Sequence, residues 1–283
     1  MDRELVLSVL ATVLTGATFR LGALWRPADR LIAESPRQAE RRCWRRLWAP
    51  LGPAAVVLCA LAGWAALEPD DSELVPRSLL VLTLPCAFIW MRAIRRAAKS
   101  IRRPSVGAAG VIGLWRPRIV LSGRFRARID ERAAAAAAAH EAAHVRHRDP
   151  LRLWLAQFAT DLQWPSVRAA ERLRTWMRVV ELARDDEARR CGVDGADLAA
   201  AIIAAVRLDE TDRLATALAG ERIDFETRIR RLLVPAPSDD LAPRSSAVRL
   251  VLAATSVLIG AAVAAAGAFW GETVVRTVFS ALP

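Results

Sequence analysis

The chain of 283 residues has no tyrosine, no asparagine, a single lysine (Lys99) and only three histidines. Each scarcity narrows the reading. With one lysine, the basic total of 41 is almost all arginine. That skew, with abundant alanine, points to biased composition more than to a nucleic-acid surface, although the net charge of +11 would otherwise suggest one. No direct nucleic-acid partner is expected. The four cysteines, Cys43, Cys59, Cys86 and Cys191, form no C-x-x-C pair, which argues against a thiolate metal site and a disulfide framework. Cys59 and Cys86 lie in apolar runs, where a free thiol packs as a small hydrophobe. Residues 1–4 lack a basic n-region, so no cleavable signal peptide is expected.

What the chain has in quantity is apolar sequence, 54% of all residues. Four stretches approach the roughly 20 residues that cross a hydrocarbon core: 5–25, 48–67, 79–94 and 250–270. The last carries no charge, and its Gly260 and Gly267 would permit close helix packing. Trp25, Trp48, Trp64, Trp90 and Trp270 fall near the ends of these stretches, as an interfacial belt would place them. Arginines crowd the first and third connections (Arg26, Arg30, Arg37, Arg41 and Arg92, Arg95, Arg96 among them), whereas the second is acidic. The positive-inside rule then places residues 95–248 in the cytoplasm and both termini outside, with membrane lipid as a partner.

Chemistry concentrates in one segment. His140, Glu141 and His144 spell H-E-x-x-H, which on a helix puts two imidazoles on one side and a carboxylate about 100° away. The alanines Ala133–Ala139 precede the motif and favour that helix strongly. An open catalytic zinc site needs a third protein ligand, and no histidine lies outside the cluster. Glu181 is the candidate, on a second helix expected from Pro165 to near Gly192. Asp185 follows one turn later and would serve as the carboxylate behind a ligating imidazole. Glu141 is then the general base. His147 lies two turns from His140 and reads as a solvated or packing residue. A solvated helix, with Glu181 and Asp185 pairing to Arg184 or Arg189, is the bland alternative.

These residues resemble the BlaR/MecR-type membrane metallopeptidases, antirepressors of bacterial beta-lactam signalling. The likeness runs from about 105 to 233: Gly113–Ser122 is similar to the short strand before the zinc helix, His140 through Asp149-Pro150-Leu151 to the extended zinc signature, Gln163-Trp164-Pro165 to a Trp-rich stretch, Glu181-Leu182-Ala183 with Asp185 to E-L-A-x-D, and Arg228-Ile229 to a later R-I pair. The resemblance implies zinc held by His140, His144 and Glu181, and a cytoplasmic protein substrate, a winged-helix repressor or the chain itself. The best-known members carry a penicillin-binding sensor domain after the last span; with Gly271–Pro283 in that position here, beta-lactam sensing is not expected.

The expected architecture is therefore a mainly α integral protein of the bacterial inner membrane. Three spans occupy 1–100, a cytoplasmic α+β zinc peptidase domain of gluzincin type 101–247, and a fourth span with a short outer tail 248–283. Arg118–Ser122 would offer an edge strand to an extended substrate. Arg228 is the candidate oxyanion stabiliser, with a helix-surface charge as its plain alternative. An HtpX-like quality-control or prenyl-protein peptidase and a non-catalytic scaffold are the competing functions, and oligomeric state is open.

Overall fold

A computed structural model of the chain describes residues 35–67, 83–102, 108–212 and 218–234, a helical stretch at 258–267 and a few isolated positions. Helix α1, Pro36–Trp48, starts with proline in its first turn, where a missing N–H costs nothing. It buries Ala39, Cys43 and Leu47, spaced to form one face. Helix α2 is Gly52–Leu67 and helix α3 is Thr83–Arg102. Strand β1, Ala109–Ile112, pairs antiparallel with β2, Arg118–Leu121, so that Ala109 faces Leu121 and Ile112 faces Arg118. Gly113 sits in the connecting turn at φ 94°, where a Cβ would also meet the Arg116 carbonyl.

The short helix α4, Gly123–Arg126, leads into α5, Glu131–Arg146. Asp130 caps α5 by accepting from the Ala133 amide at 2.7 Å, which satisfies one of the free N–H groups at a helix start. The chain then reverses at Arg148, whose φ of 52° is left-handed, and α6 begins at Asp149–Leu162 with Pro150 in its first turn. Helices α7, Val167–Arg190, α8, Gly195–Asp212, and α9, Leu218–Leu233, follow.

Alanine decides how these pack. Ala133 and Ala137 on α5 meet Phe125, Ala201 and Leu208, while Ala136 meets Ala188, Leu198, Ala199 and Leu232. Small side chains let α7 and α8 approach α5 closely. A separate core joins α1 to α6 and α7 through Cys43, Leu47, Ala156, Leu173, Trp176 and Val180. Thus α5 lies at the centre, with α7, α8 and the two-stranded sheet around it.

The mainly helical fold with a small sheet stands, but the four membrane spans do not. Among the described residues, no helix is long and apolar enough to cross a membrane. The reason is visible in each element. The apolar run at 48–67 is divided by a 3-10 turn, Ala49–Leu51, and its helix α2 has 16 residues, about 24 Å at 1.5 Å per residue, short of the roughly 30 Å core. The described part of the run at 79–94, from Thr83 on, sits in α3, which also carries Arg92, Arg95, Arg96, Lys99 and Arg102. The span expected at 5–25 lies outside the described residues but for Gly16, and the one at 250–270 is described mainly at 258–267. Gly267 does come against the Ala60 backbone, and Gly63 against that of Ala264, so close helix approach through glycine is present.

Candidate metal centre

Helix α5 presents His140 and His144 on one side, with ring centroids 4.8 Å apart. Their Nε2 atoms lie 3.1 Å from each other. From α7, Glu181 brings Oε2 to 3.5 Å from His140 Nε2 and Oε1 to 3.6 Å from His144 Nε2. The expected ligand residues are thus brought together from two helices, and all three offer an atom within one 4.8 Å group.

The donor set fits a metal ion. Bonds of 2.0–2.1 Å to a tetrahedral zinc imply ligand atoms about 3.3 Å apart, and the observed separations bracket that value. The far side of each ring supports the same reading. His144 Nδ1 hydrogen-bonds Asp149 Oδ2 at 2.9 Å, and His140 Nδ1 contacts Asp185 Oδ1 at 2.9 Å. An imidazole that donates from Nδ1 turns its Nε2 lone pair outward. Two imidazoles and a carboxylate converging at such range could hold a cation between them.

Electrostatics sort the carboxylates by role. Burial works against an ionised Glu181, yet the Arg228 charge and the two nearby histidines outweigh it and lower its pKa. For Glu141 burial prevails over the pull of His140 and His144, and its pKa is raised. One carboxylate is therefore held ionised, as a ligand must be, and its neighbour is made a better proton acceptor. His140 is pushed up to about 9: its burial opposes protonation, but Asp185 and Glu181 overcome it.

Two arginines hold the backing aspartates. Arg228 of α9 donates from Nε and Nη2 to Asp185, both at 2.8 Å, and its Nη1 pairs with Glu181 Oε2 at 3.0 Å. This guanidinium faces two site carboxylates, a use the sequence did not indicate. Arg184 donates from Nε and Nη2 to Asp149 at 2.6 and 3.0 Å. Asp149 is a residue that spacing did not reveal. Its only signal was the Asp149-Pro150-Leu151 step, and the left-handed turn at Arg148 is what aims it back at His144. His147, beyond the ligand group, is half-exposed and hydrogen-bonds Glu187 at 2.7 Å.

The group opens on a cavity of about 760 Å³. Apolar side chains from α8, Leu198, Ile202 and Val206, wall it with Phe125 and Val180. On the strand side Ala109 and Gly110 of β1 line it, so β1 and not the expected Arg118–Ser122 borders the site.

A helix-borne pair of histidines, a carboxylate from a second helix and a buried glutamate beside them form the kind of group that could hold a metal ion. Residues 86–181 match the family described as BlaR1 peptidase M56. That segment is thus similar to the BlaR/MecR-type peptidases, a family of zinc-dependent enzymes that cut peptide bonds. It takes in His140, Glu141, His144, Asp149 and ends on Glu181, and it leaves Arg184, Asp185, Arg228 and all of α1 outside. No curated protein and no solved structure matches the chain.

Proposed function

We propose that the chain is a zinc metalloendopeptidase in signal transduction that cuts a protein substrate, a winged-helix repressor or the chain itself. The observation that carries this is the convergence of His140, His144 and Glu181 beside Glu141 at the floor of an open cavity. The matched family supports the peptidase part, and the sequence resemblance supplies the repressor.

Bound zinc would supply Lewis acidity towards the scissile carbonyl and acidify water. The chain's own residues do the rest. His140, His144 and Glu181 hold the ion, while Asp149 and Asp185 fix the two ring orientations. Glu141, raised by burial, accepts a proton from the attacking water and passes it to the leaving amine. The edge of β1 not paired with β2 offers main-chain hydrogen bonds to an extended peptide. The apolar wall of α8 then receives a hydrophobic side chain of that peptide.

The test is co-expression of candidate winged-helix repressors with the chain and with Glu141→Gln. Cleavage should fall by about 10²- to 10⁴-fold, the usual share of a general base, while metal content stays. Cleavage undiminished in Glu141→Gln would contradict the proposal.

A further inference from the structure

Behind His144 lies a set of buried charges that reaches a helix outside the family match. Glu40, on α1, is 7% exposed, Asp149 is 6% and Arg184 is 1%. Arg184 divides its donors between two carboxylates. Nε and Nη2 go to Asp149, and Nη2 and Nη1 go to Glu40 at 3.0 and 3.3 Å. Arg152 closes the group with one nitrogen: Nη1 reaches Glu40 Oε1 at 2.6 Å and Asp149 Oδ1 at 2.9 Å. Its guanidinium lies over the rings of Trp44, at 4.8 Å, and Trp176, at 5.4 Å, so α1 also holds it by stacking.

Two carboxylates and two guanidiniums make this quartet neutral overall. Inside a protein that balance matters, because a buried charge without its partner is strongly unfavourable. Geometry adds a second constraint. The Asp149 oxygen that takes the Arg184 Nε–H is Oδ2, the same atom that bonds His144 Nδ1. A guanidinium has a rigid fork of donors, so the acceptor on its far side fixes the direction of Nε. Glu40 is that acceptor.

We propose that Glu40 is a positioning residue of the metal site: through Arg184 and Asp149 it sets the orientation of His144, which makes α1 part of the peptidase unit. Without the Glu40 carboxylate, Nη1 of Arg184 loses its hydrogen-bond acceptor, with only Glu187 Oε2 at 3.8 Å beyond it, and Nη2 keeps Asp149 Oδ1 alone. The fork turns toward its remaining partner, Asp149 Oδ2 shifts with it, and the imidazole loses its fixed angle. The inference rests on the reading of His140, His144 and Glu181 as metal ligands.

The experiment uses the full chain with Co²⁺ in place of zinc, since the visible bands of Co²⁺ report ligand geometry. Glu40→Gln is compared with Leu47→Val, which loosens α1 in the same core without touching the charges. Glu40→Gln should weaken Co²⁺ binding by about tenfold, the lower end of the range for residues behind metal ligands, and shift the visible bands. Leu47→Val should lower the melting temperature and leave affinity and bands as in the wild type. The proposal is overturned if Glu40→Gln binds Co²⁺ with unchanged affinity and bands, or if Leu47→Val changes them as much. A Glu40→Gln chain that does not fold would make the residue purely structural and overturn it too. A wild type that takes up no Co²⁺ would instead sink the ligand assignment itself, and this inference with it.

Discussion

Each of the two histidines of the site is backed by an aspartate and then an arginine, yet the two arrangements differ in how they end. Behind His144, Asp149 accepts an aligned 2.9 Å hydrogen bond, and Arg184, 1% exposed, carries the connection on to Glu40 in the core under α1. Behind His140, Asp185 is as close, 2.9 Å, but Nδ1 has no aligned hydrogen bond. Its arginine, Arg228, turns its remaining nitrogen back on the ligand Glu181 and lines the cavity. The first arrangement ties the site to the interior, and the second ties ligand to ligand at the cavity wall. Fold stability should therefore depend on the His144 side, and the charge of the ligand set on the His140 side.

Arg184→Ala should break the comparison most visibly. It leaves Asp149 and Glu40 as buried carboxylates with Arg152 alone between them, at a cost of about 3–5 kcal/mol, read as a loss in urea or thermal unfolding. Arg228→Ala should cost less than half as much, because its side chain is 19% exposed and water can replace it. Equal losses would mean that the two sides are not built as differently as their geometry indicates.

Asp149→Asn and Asp185→Asn sharpen the comparison at the metal. Each should lower zinc affinity by about 10- to 100-fold, as residues behind metal ligands commonly do. Asp149→Asn should be the worse of the two, since it removes the aligned bond and also unbalances the buried quartet. Competitive titration with a chelator checks the order.

The smallest effect concerns Glu187, which pairs with His147 and Arg146 at the end of α5. Burial alone would raise its pKa, but His147 and Arg146 bring it below the ordinary 4.5. A carboxylate depressed in the folded state stabilises above its unfolded pKa and loses that contribution as pH falls below it. Glu187→Gln should thus be less stable than wild type at neutral pH by under about 1 kcal/mol. The gap should narrow below pH 4.5. A gap that stays constant to lower pH would show that packing, not charge, holds His147.

How much of this was legible beforehand follows from distance along the chain. His140, Glu141 and His144 are readable because helical periodicity fixes their relation, and Glu181 with Asp185 because the same periodicity links them. Asp149 is only five residues past His144, yet the helix ends between them. Its reach back depends on one left-handed residue, Arg148, which no periodicity announces. Glu40 lies 144 residues before Arg184, and nothing local marks a glutamate among arginines as buried. Arg228 was singled out as an oxyanion donor because the segment resembling R-I could fold back over the site; that its guanidinium also faces Asp185 and Glu181 was announced by no spacing. Hydropathy misled on the spans for a related reason. It registers apolar runs, but not the 3-10 turn that divides the run before α2, nor the charged second half of α3.

The zinc content of the purified full chain tests the central claim most directly, measured alongside His140→Ala, His144→Ala, Glu181→Ala and Glu141→Gln. Wild type and Glu141→Gln should each hold a single tightly bound zinc, and each of the three ligand variants should lose it on dialysis against a weak chelator. Zinc retained at wild-type affinity in the ligand variants, or lost in Glu141→Gln alone, would contradict the assignment of His140, His144 and Glu181 as the metal centre.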